Sequence, residues 1–103
     1  MNCKRTDTDT ESHLELNGAL DALTAPDIRP IFDKMVADAA GGSARRVTVD
    51  LANVTMIDSS GVGAIVSLFK RVKAAGGQVL VVGARDQPLA VLKLLKLDRV
   101  FGL

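Results

Sequence analysis

The spacing of apolar residues along this chain switches repeatedly between the period of a strand and the period of a helix. From His13 to Asn17 apolar residues occupy every second position, which predicts a half-buried strand that Gly18 interrupts. After Thr24 they recur every third or fourth position, which predicts an amphipathic helix. Such alternation indicates strand–helix–strand units, and these units build a mostly parallel sheet.

The first predicted helix has two possible starting points. Thr24 can cap it with Pro26 in the first turn, or Asp27 can be the cap, which would place Pro30 harmlessly near the start. Its apolar face comprises Ile28, Ile31, Phe32, Met35 and Ala39. Gly41 and Gly42 are expected to end it.

The second half of the chain repeats this order. Arg46–Leu51 alternates and continues in an extended path to Asp58, after which a helix from Gly61 is expected to stop at Gly76 and Gly77. The apolar face of that helix is predicted to hold Val62, Ile65, Val66, Phe69 and Val72.

The last predicted elements are shorter. Gln78–Val82 is a continuous apolar run, typical of a strand covered on both faces. A third helix is expected over Pro88–Leu95, and Val100–Phe101 is expected to add a short strand. The sequence therefore predicts one α/β domain with a mostly parallel or mixed sheet and about three to four interspersed helices.

The first twelve residues differ from the rest. They are polar and rich in Thr and Asp, so they form either an edge strand or a disordered segment. We therefore assign residues 13–103 to the folded domain and leave both alternatives open for residues 1–12.

Composition excludes several functions. Thirteen Lys and Arg against twelve Asp and Glu give a net charge of +1, and the chain has three Phe but no Trp or Tyr. Such a chain lacks the basic surface and the aromatic platform of a nucleic-acid-binding protein. One Cys and one His cannot make a zinc site of the usual kind, and no cofactor is expected.

Hydropathy bears on location. No apolar run reaches the roughly 18 residues of a membrane-spanning helix and no signal segment opens the chain, so we expect a cytoplasmic protein without membrane insertion. The mean hydropathy of +0.23 is high for a small domain. Either a generous core or apolar surface kept for a partner explains it.

The segment from Met56 to Gly63 is the most informative part of the sequence, because the carboxyl ends of parallel strands are where sites collect. Asp58, Ser59 and Ser60 all suit a helix cap, so the segment can be simply a well-capped helix start. Alternatively, a hydroxyl at a helix N-terminus is a good position for a phosphate, which the unpaired N–H groups and the helix dipole would favour.

No catalytic arrangement is recognisable. Neither Ser59 nor Ser60 has a glycine two positions before it, so the nucleophile-elbow pattern fails. Gly61–Gly63 begins like a dinucleotide-binding fingerprint, but Val66 stands at the third glycine position. His13 is expected on a strand and is the only candidate base, so we expect a protein that is not an enzyme.

Several of these motifs together resemble the STAS domain, and more closely the stand-alone bacterial anti-sigma factor antagonists. They are Asp-Ser-Ser-Gly-Val-Gly from Asp58 to Gly63, the upstream Leu-Asn-Gly-Ala-Leu-Asp ending at Asp21, and Gly-Gly-Gln-Val-Leu-Val-Val. A closing segment around Leu97 to Phe101 is similar too, so the resemblance covers about residues 13–103. Pro30 is atypical of the family.

The resemblance implies a partner switch. In the family, the serine after the motif aspartate, here Ser59, is phosphorylated by an anti-sigma factor that is also a serine kinase; Ser60 is the lesser candidate. The unphosphorylated form binds the anti-sigma factor, phosphorylation ends the binding, and a serine phosphatase restores it.

The resemblance also implies supporting roles for the residues around the acceptor. Asp58 would orient the loop, while Gly61 and Gly63, on either side of Val62, would permit close approach by the partner. Asp21 and Thr24 would flank the same patch on a neighbouring loop.

Two other roles stay open for this chain. One is an accessory subunit of a membrane lipid transporter. The other is a phospho-regulated scaffold that controls a kinase or phosphatase outside transcription.

Overall fold

The computed structural model describes residues 1–41 and 46–102. Four strands and three helices follow one another along this part of the chain. In order they are β1 (Asn2–Asp7), β2 (Glu11–Leu20), α1 (Ala25–Ala40), β3 (Arg46–Ile57), α2 (Ser59–Ala74), β4 (Gln78–Val82) and α3 (Asp86–Leu94).

The strands form one mixed sheet in the order β1-β2-β3-β4. β1 is antiparallel to β2, whereas β2–β3 and β3–β4 are parallel pairs. α1 connects the first parallel pair and α2 connects the second, as the alternation of apolar periods predicted. The α/β fold class is therefore confirmed.

The core lies between the sheet and the helices. Alternate residues of β2, β3 and β4 are buried, among them Leu14, Val49 and Val81, and they pack with the apolar faces of α1 and α2 in one cluster. The opposite sheet face carries polar side chains, with hydrogen bonds from Thr48 to Glu11 and from Asn53 to Glu15. None of the helices in the described ranges is long and apolar enough to cross a bilayer.

The N-terminal segment forms an edge strand, which is one of the two alternatives left open. β1 is held to α1 by an ion pair of 2.6 Å between Arg5 Nη2 and Asp38 Oδ2. The expectation that Gly18 ends the following strand was wrong. β2 continues to Leu20, because Gly18 adopts φ +102° and the register with β3 shifts between Gly18 and Ala19.

The first helix follows one of its two expected starts, directly after Thr24. It begins at Ala25, so the alternative start at Asp27 was wrong and Pro30 lies inside the helix. Proline removes only the hydrogen bond to the Pro26 carbonyl, and both prolines are exposed in the first two turns, where water can replace that bond. Thr24 precedes the helix but makes no side-chain cap hydrogen bond.

The ends of the first two helices and the apolar face of α2 match the sequence-based prediction in part. Gly41 follows the end of α1 as expected, whereas Gly42 lies outside the described residues. α2 ends just before the predicted glycines, where the N–H of Gly77 donates to the Val72 carbonyl. Leu68 is fully buried on the face of α2, although the pattern did not single it out.

The last elements differ more. β4 is buried on one face only, since Val79 and Val81 alternate with exposed Gln78 and Val82; the prediction of a strand covered on both faces was wrong. α3 covers Asp86–Leu94 rather than the predicted Pro88–Leu95.

Val100–Phe101 is a turn and not a strand. The turn carries the Phe101 ring into the core, where it is 1% exposed and meets the Phe69 ring edge-on at 5.6 Å between centroids. A single carbonyl, that of Phe101, accepts from the N–H of Val81, so one hydrogen bond replaces the expected strand ladder.

Phe101 should therefore support stability although it lies in a turn. We expect Phe101→Ala to lower the free energy of unfolding by about 3–5 kcal/mol, because it leaves a cavity against Phe69. Val100→Ala is the matched control, since Val100 is 49% exposed, and should change it by no more than about 0.5 kcal/mol. Urea denaturation measures both; equal effects would contradict the packing described.

Candidate functional site

Asp58 joins three segments at the carboxyl end of β3. It is the N-cap of α2, and its Oδ1 accepts from the backbone N–H of Ser60 at 2.9 Å and of Gly61 at 3.1 Å. Its Oδ2 accepts from the N–H of Ala22, in the β2–α1 loop, at 3.2 Å. One carboxylate therefore fixes the start of α2 and the neighbouring loop relative to each other.

The β2–α1 loop is closed by its own side chains. Asp21 Oδ1 accepts from the N–H of Leu23 at 2.9 Å and of Thr24 at 3.1 Å. Thr24 Oγ1 accepts from the N–H of Asp21 at 2.9 Å and lies 2.8 Å from the Ala19 carbonyl, to which it donates. Thr24 thus stiffens the loop instead of capping α1.

This stiff loop carries a leucine that the sequence analysis did not single out. The Leu23 side chain is 86% exposed, although its backbone N–H is fixed by Asp21 and its neighbour Ala22 is fixed by Asp58. Single exposed apolar side chains are common on protein surfaces, so Leu23 is of interest because its loop is bonded to Asp58. No clear signal for it is present in the sequence, because Leu23 stands between Ala22 and Thr24 in a turn of mixed polarity.

Gly61 allows α2 to begin against β2. A Cβ atom at Gly61 would lie 2.5 Å from the Leu20 carbonyl oxygen and 2.9 Å from Ile57 Cγ1. The close approach that the resemblance assigned to a partner is thus made at Gly61 by this chain's own strand. Gly63 is exposed and has no neighbour within 4 Å of such an atom.

The two serines of the loop face different surroundings. Ser59 is the first residue of α2 and is exposed. Ser60 is half-buried at one end of a groove of about 410 Å³ between α1 and α2, which Arg29 and Arg71 also line. Val62, three residues after Ser59, is 7% exposed and belongs to the core.

Ile57, just before Asp58, has an unusual partner. The Gln87 side chain of α3 accepts from the Ile57 N–H and donates to the Ile57 carbonyl, each at 2.8 Å. Nothing in the local sequence pattern pointed to Gln87, because the contact joins residues thirty positions apart.

The described residues include one histidine and offer no candidate metal centre. His13 lies on β2, where Nε2 is 3.7 Å from Asp50 Oδ2. Within residues 1–41 and 46–102, no group of three or more His, Cys, Asp or Glu side chains could hold a metal ion. The site therefore offers a surface hydroxyl, an ordered loop and an exposed apolar side chain.

Comparison with known families agrees with this geometry. The model of the STAS domain family matches residues 4–103. The chain belongs to the STAS domain family. Its sheet with interspersed helices is the fold that the resemblance implied.

Individual relatives carry regulatory names. An anti-sigma-B factor antagonist of Staphylococcus aureus is 26% identical over 87 residues, which are 84% of this chain and 77% of that protein. The crystal structure of an anti-sigma factor antagonist from Mycobacterium paratuberculosis is 23% identical, with a TM-score of 0.82 over 97% of this STAS domain and 81% of that chain. Bacillus SpoIIAA in its phosphorylated form is 18% identical, with a TM-score of 0.74 over 95% and 86% of the two chains.

The two glycines of the loop give a matched pair of substitutions. Gly61→Ala should lower the free energy of unfolding by about 1–3 kcal/mol, because the new methyl group meets a backbone oxygen that cannot rotate away. Gly63→Ala should raise it by about 0.5–1 kcal/mol, because alanine suits an open helix position better than glycine. Urea denaturation of both variants checks the signs; destabilisation by Gly63→Ala would contradict the geometry.

Proposed function

We propose that this STAS domain is an anti-sigma factor antagonist that acts by binding and performs no catalysis of its own. The observation that carries the proposal is the exposed Ser59, placed beside an ordered loop that presents Leu23. The name of its Staphylococcus aureus relative supports an anti-sigma factor as the partner. Such a protein would act in the bacterial cytoplasm, where transcription takes place.

We propose Ser59 as the site of reversible phosphorylation. Its Oγ would attack the γ-phosphorus of ATP held by an anti-sigma factor that is also a serine kinase, with ADP leaving and the hydroxyl proton passing to a base of the kinase. A serine phosphatase would hydrolyse the ester to serine and inorganic phosphate. The structural relative SpoIIAA, which is known in a phosphorylated form, supports this proposal by analogy.

Ser59 is favoured over Ser60 by access. The Ser59 side chain is exposed, so a kinase can reach its hydroxyl without moving the helix. Ser60 is half-buried against the groove between α1 and α2, and its N–H is held by Asp58. The Ser60 hydroxyl is therefore less accessible to a kinase than that of Ser59.

The effect of phosphate follows from charge. A phosphate adds about −1.5 to −2, which changes the net charge of the chain from +1 to about −0.5 to −1. Its charge and hydration shell would lie next to the apolar contact offered by Leu23. An interface built for a small hydroxyl would then have to desolvate a dianion, so the complex would dissociate.

The test of the acceptor is direct. On incubation with the cognate anti-sigma kinase and Mg-ATP, we expect mass spectrometry to find one phosphate, on Ser59. Ser59→Ala should abolish it, while Ser60→Ala, the control, should keep it. No phosphate on the wild type, or undiminished labelling of Ser59→Ala, would contradict the proposal. Co-purification with a transporter and with no anti-sigma factor would favour the accessory-subunit role instead.

Leu23 offers a test of the interface. Leu23→Ala should weaken binding to the anti-sigma factor by about 2 kcal/mol, roughly 30-fold in Kd, as expected for a central apolar contact. Leu94→Ala is the matched control, because Leu94 is 81% exposed on α3, and it should leave Kd unchanged. Calorimetric titration measures both; an equal loss of affinity in the two variants would contradict an interface centred on the loop.

A further inference from the structure

β3 is longer than the strand beside it. Its pairing with β4 ends at Asp50 and Val82, whereas β3 continues for seven more residues to Ile57. On its other side β3 stays paired with β2 as far as Ile57, and the N–H of Asp58 donates to the Leu20 carbonyl. The backbone N–H and C=O groups of successive residues in a strand point to opposite sides of the strand. The N–H of Asp58 points toward β2, so the groups of Ile57 point to the side where β4 has already ended.

The side-chain amide of Gln87 makes the two hydrogen bonds that a neighbouring strand would otherwise make with Ile57. Its Oε1 accepts from the Ile57 N–H and its Nε2 donates to the Ile57 carbonyl, both at 2.8 Å, which is the bidentate pattern that a neighbouring strand would offer. The Ile57 side chain is 1% exposed, so its backbone groups lie in a part of the fold where an unmade hydrogen bond is costly.

The backbone is arranged to place this side chain. Asp86, which precedes Gln87, has φ +53°, a left-handed conformation uncommon outside glycine. Such a conformation persists when the surrounding structure requires it. Asp86 is the first residue of α3, so this conformation lies where the chain enters the helix that carries Gln87.

The hydrogen bond to the Ile57 carbonyl connects Gln87 to the segment that contains Asp58 and Ser59. That carbonyl belongs to the peptide unit between Ile57 and Asp58, whose carboxylate caps α2 and holds Ala22. We infer that Gln87 is a positioning residue for the phosphoacceptor loop: it orients the peptide from which Asp58 and Ser59 project. The inference deepens the proposed function and rests on it for its consequence in phosphate transfer, but the positioning itself can be measured alone.

The test uses Gln87→Glu, which keeps the shape of the side chain. When ionised, the introduced carboxylate cannot donate to the Ile57 carbonyl and repels its oxygen, so the bond is lost near neutral pH. When protonated, the introduced carboxyl offers one acceptor and one donor, the two functions that the amide uses here, and restores both bonds. The pKa of that carboxyl should therefore lie above the ordinary glutamate value of about 4.3.

The readout is the ¹H–¹⁵N spectrum followed against pH. At pH 7 the amide signals of Asp58, Ser59 and Gly61 in Gln87→Glu should be displaced from wild type, and they should return when the introduced carboxylate is protonated. Wild type titrated in parallel accounts for the charged groups next to the contact along the chain, which are Arg85, Asp86 and Asp58. Gln78→Glu on β4 is the matched control and should leave these signals at their wild-type positions.

Two results would overturn the inference. One is a folded Gln87→Glu whose loop signals match wild type at pH 7; the other is a displacement that protonation does not reverse.

With the anti-sigma kinase and Mg-ATP, Gln87→Glu should accept phosphate at least several-fold more slowly than Gln78→Glu, and equal rates would overturn the link to phosphate transfer. Absence of phosphate on wild type would instead count against the proposed function and leave the spectral result valid.

Discussion

The carboxylate of Asp58 is the interaction on which the site depends. A cap alone would need one oxygen, but here both oxygens are used, one for α2 and one for the loop after β2. The second bond connects segments 36 residues apart in sequence. Removing it would detach Ala22 from the start of α2, although Asp21 and Thr24 would still close the loop. The same group therefore stabilises a helix, at about 0.5–2 kcal/mol, and organises a surface.

The sheet topology explains why such a carboxylate can reach both segments. β2 and β3 are parallel neighbours, so the loops that follow them both leave the sheet at the carboxyl ends of the strands. Gly61 lets α2 start in contact with Leu20, and Gln87 completes the hydrogen bonding of Ile57 where β4 is absent. Each of these contacts involves the last residue of a strand, Leu20 of β2 or Ile57 of β3.

Elements with a regular apolar period could be predicted from the sequence, since the period itself determines which face is buried. The two parallel units and the apolar face of α1 are of this kind. Irregular backbone could not be predicted. A glycine such as Gly18 gives the same local signal for a strand end as for a bulge, and the apolar pair Val100–Phe101 resembles a strand although only Phe101 is buried.

The site could be predicted in outline for a similar reason. Asp58, Ser59 and the glycines form a local motif, so their proximity needs no long-range information. The roles of Thr24, Leu23 and Gln87 depend on contacts between distant segments or on a fold-back within a loop. A local pattern carries no record of either, so it indicates a cap at Thr24 and does not single out Gln87.

The central claim is that phosphate at Ser59 alters the surface while Asp58 keeps its three hydrogen bonds. The ¹H–¹⁵N spectrum of a chain with phosphoserine incorporated at position 59 tests it most directly. We expect strong changes at Ser59 and its immediate neighbours, with the amide signals of Ala22 and of the core residues unshifted. Release of Ala22, with the phosphate replacing Asp58 as the cap of α2, would contradict it.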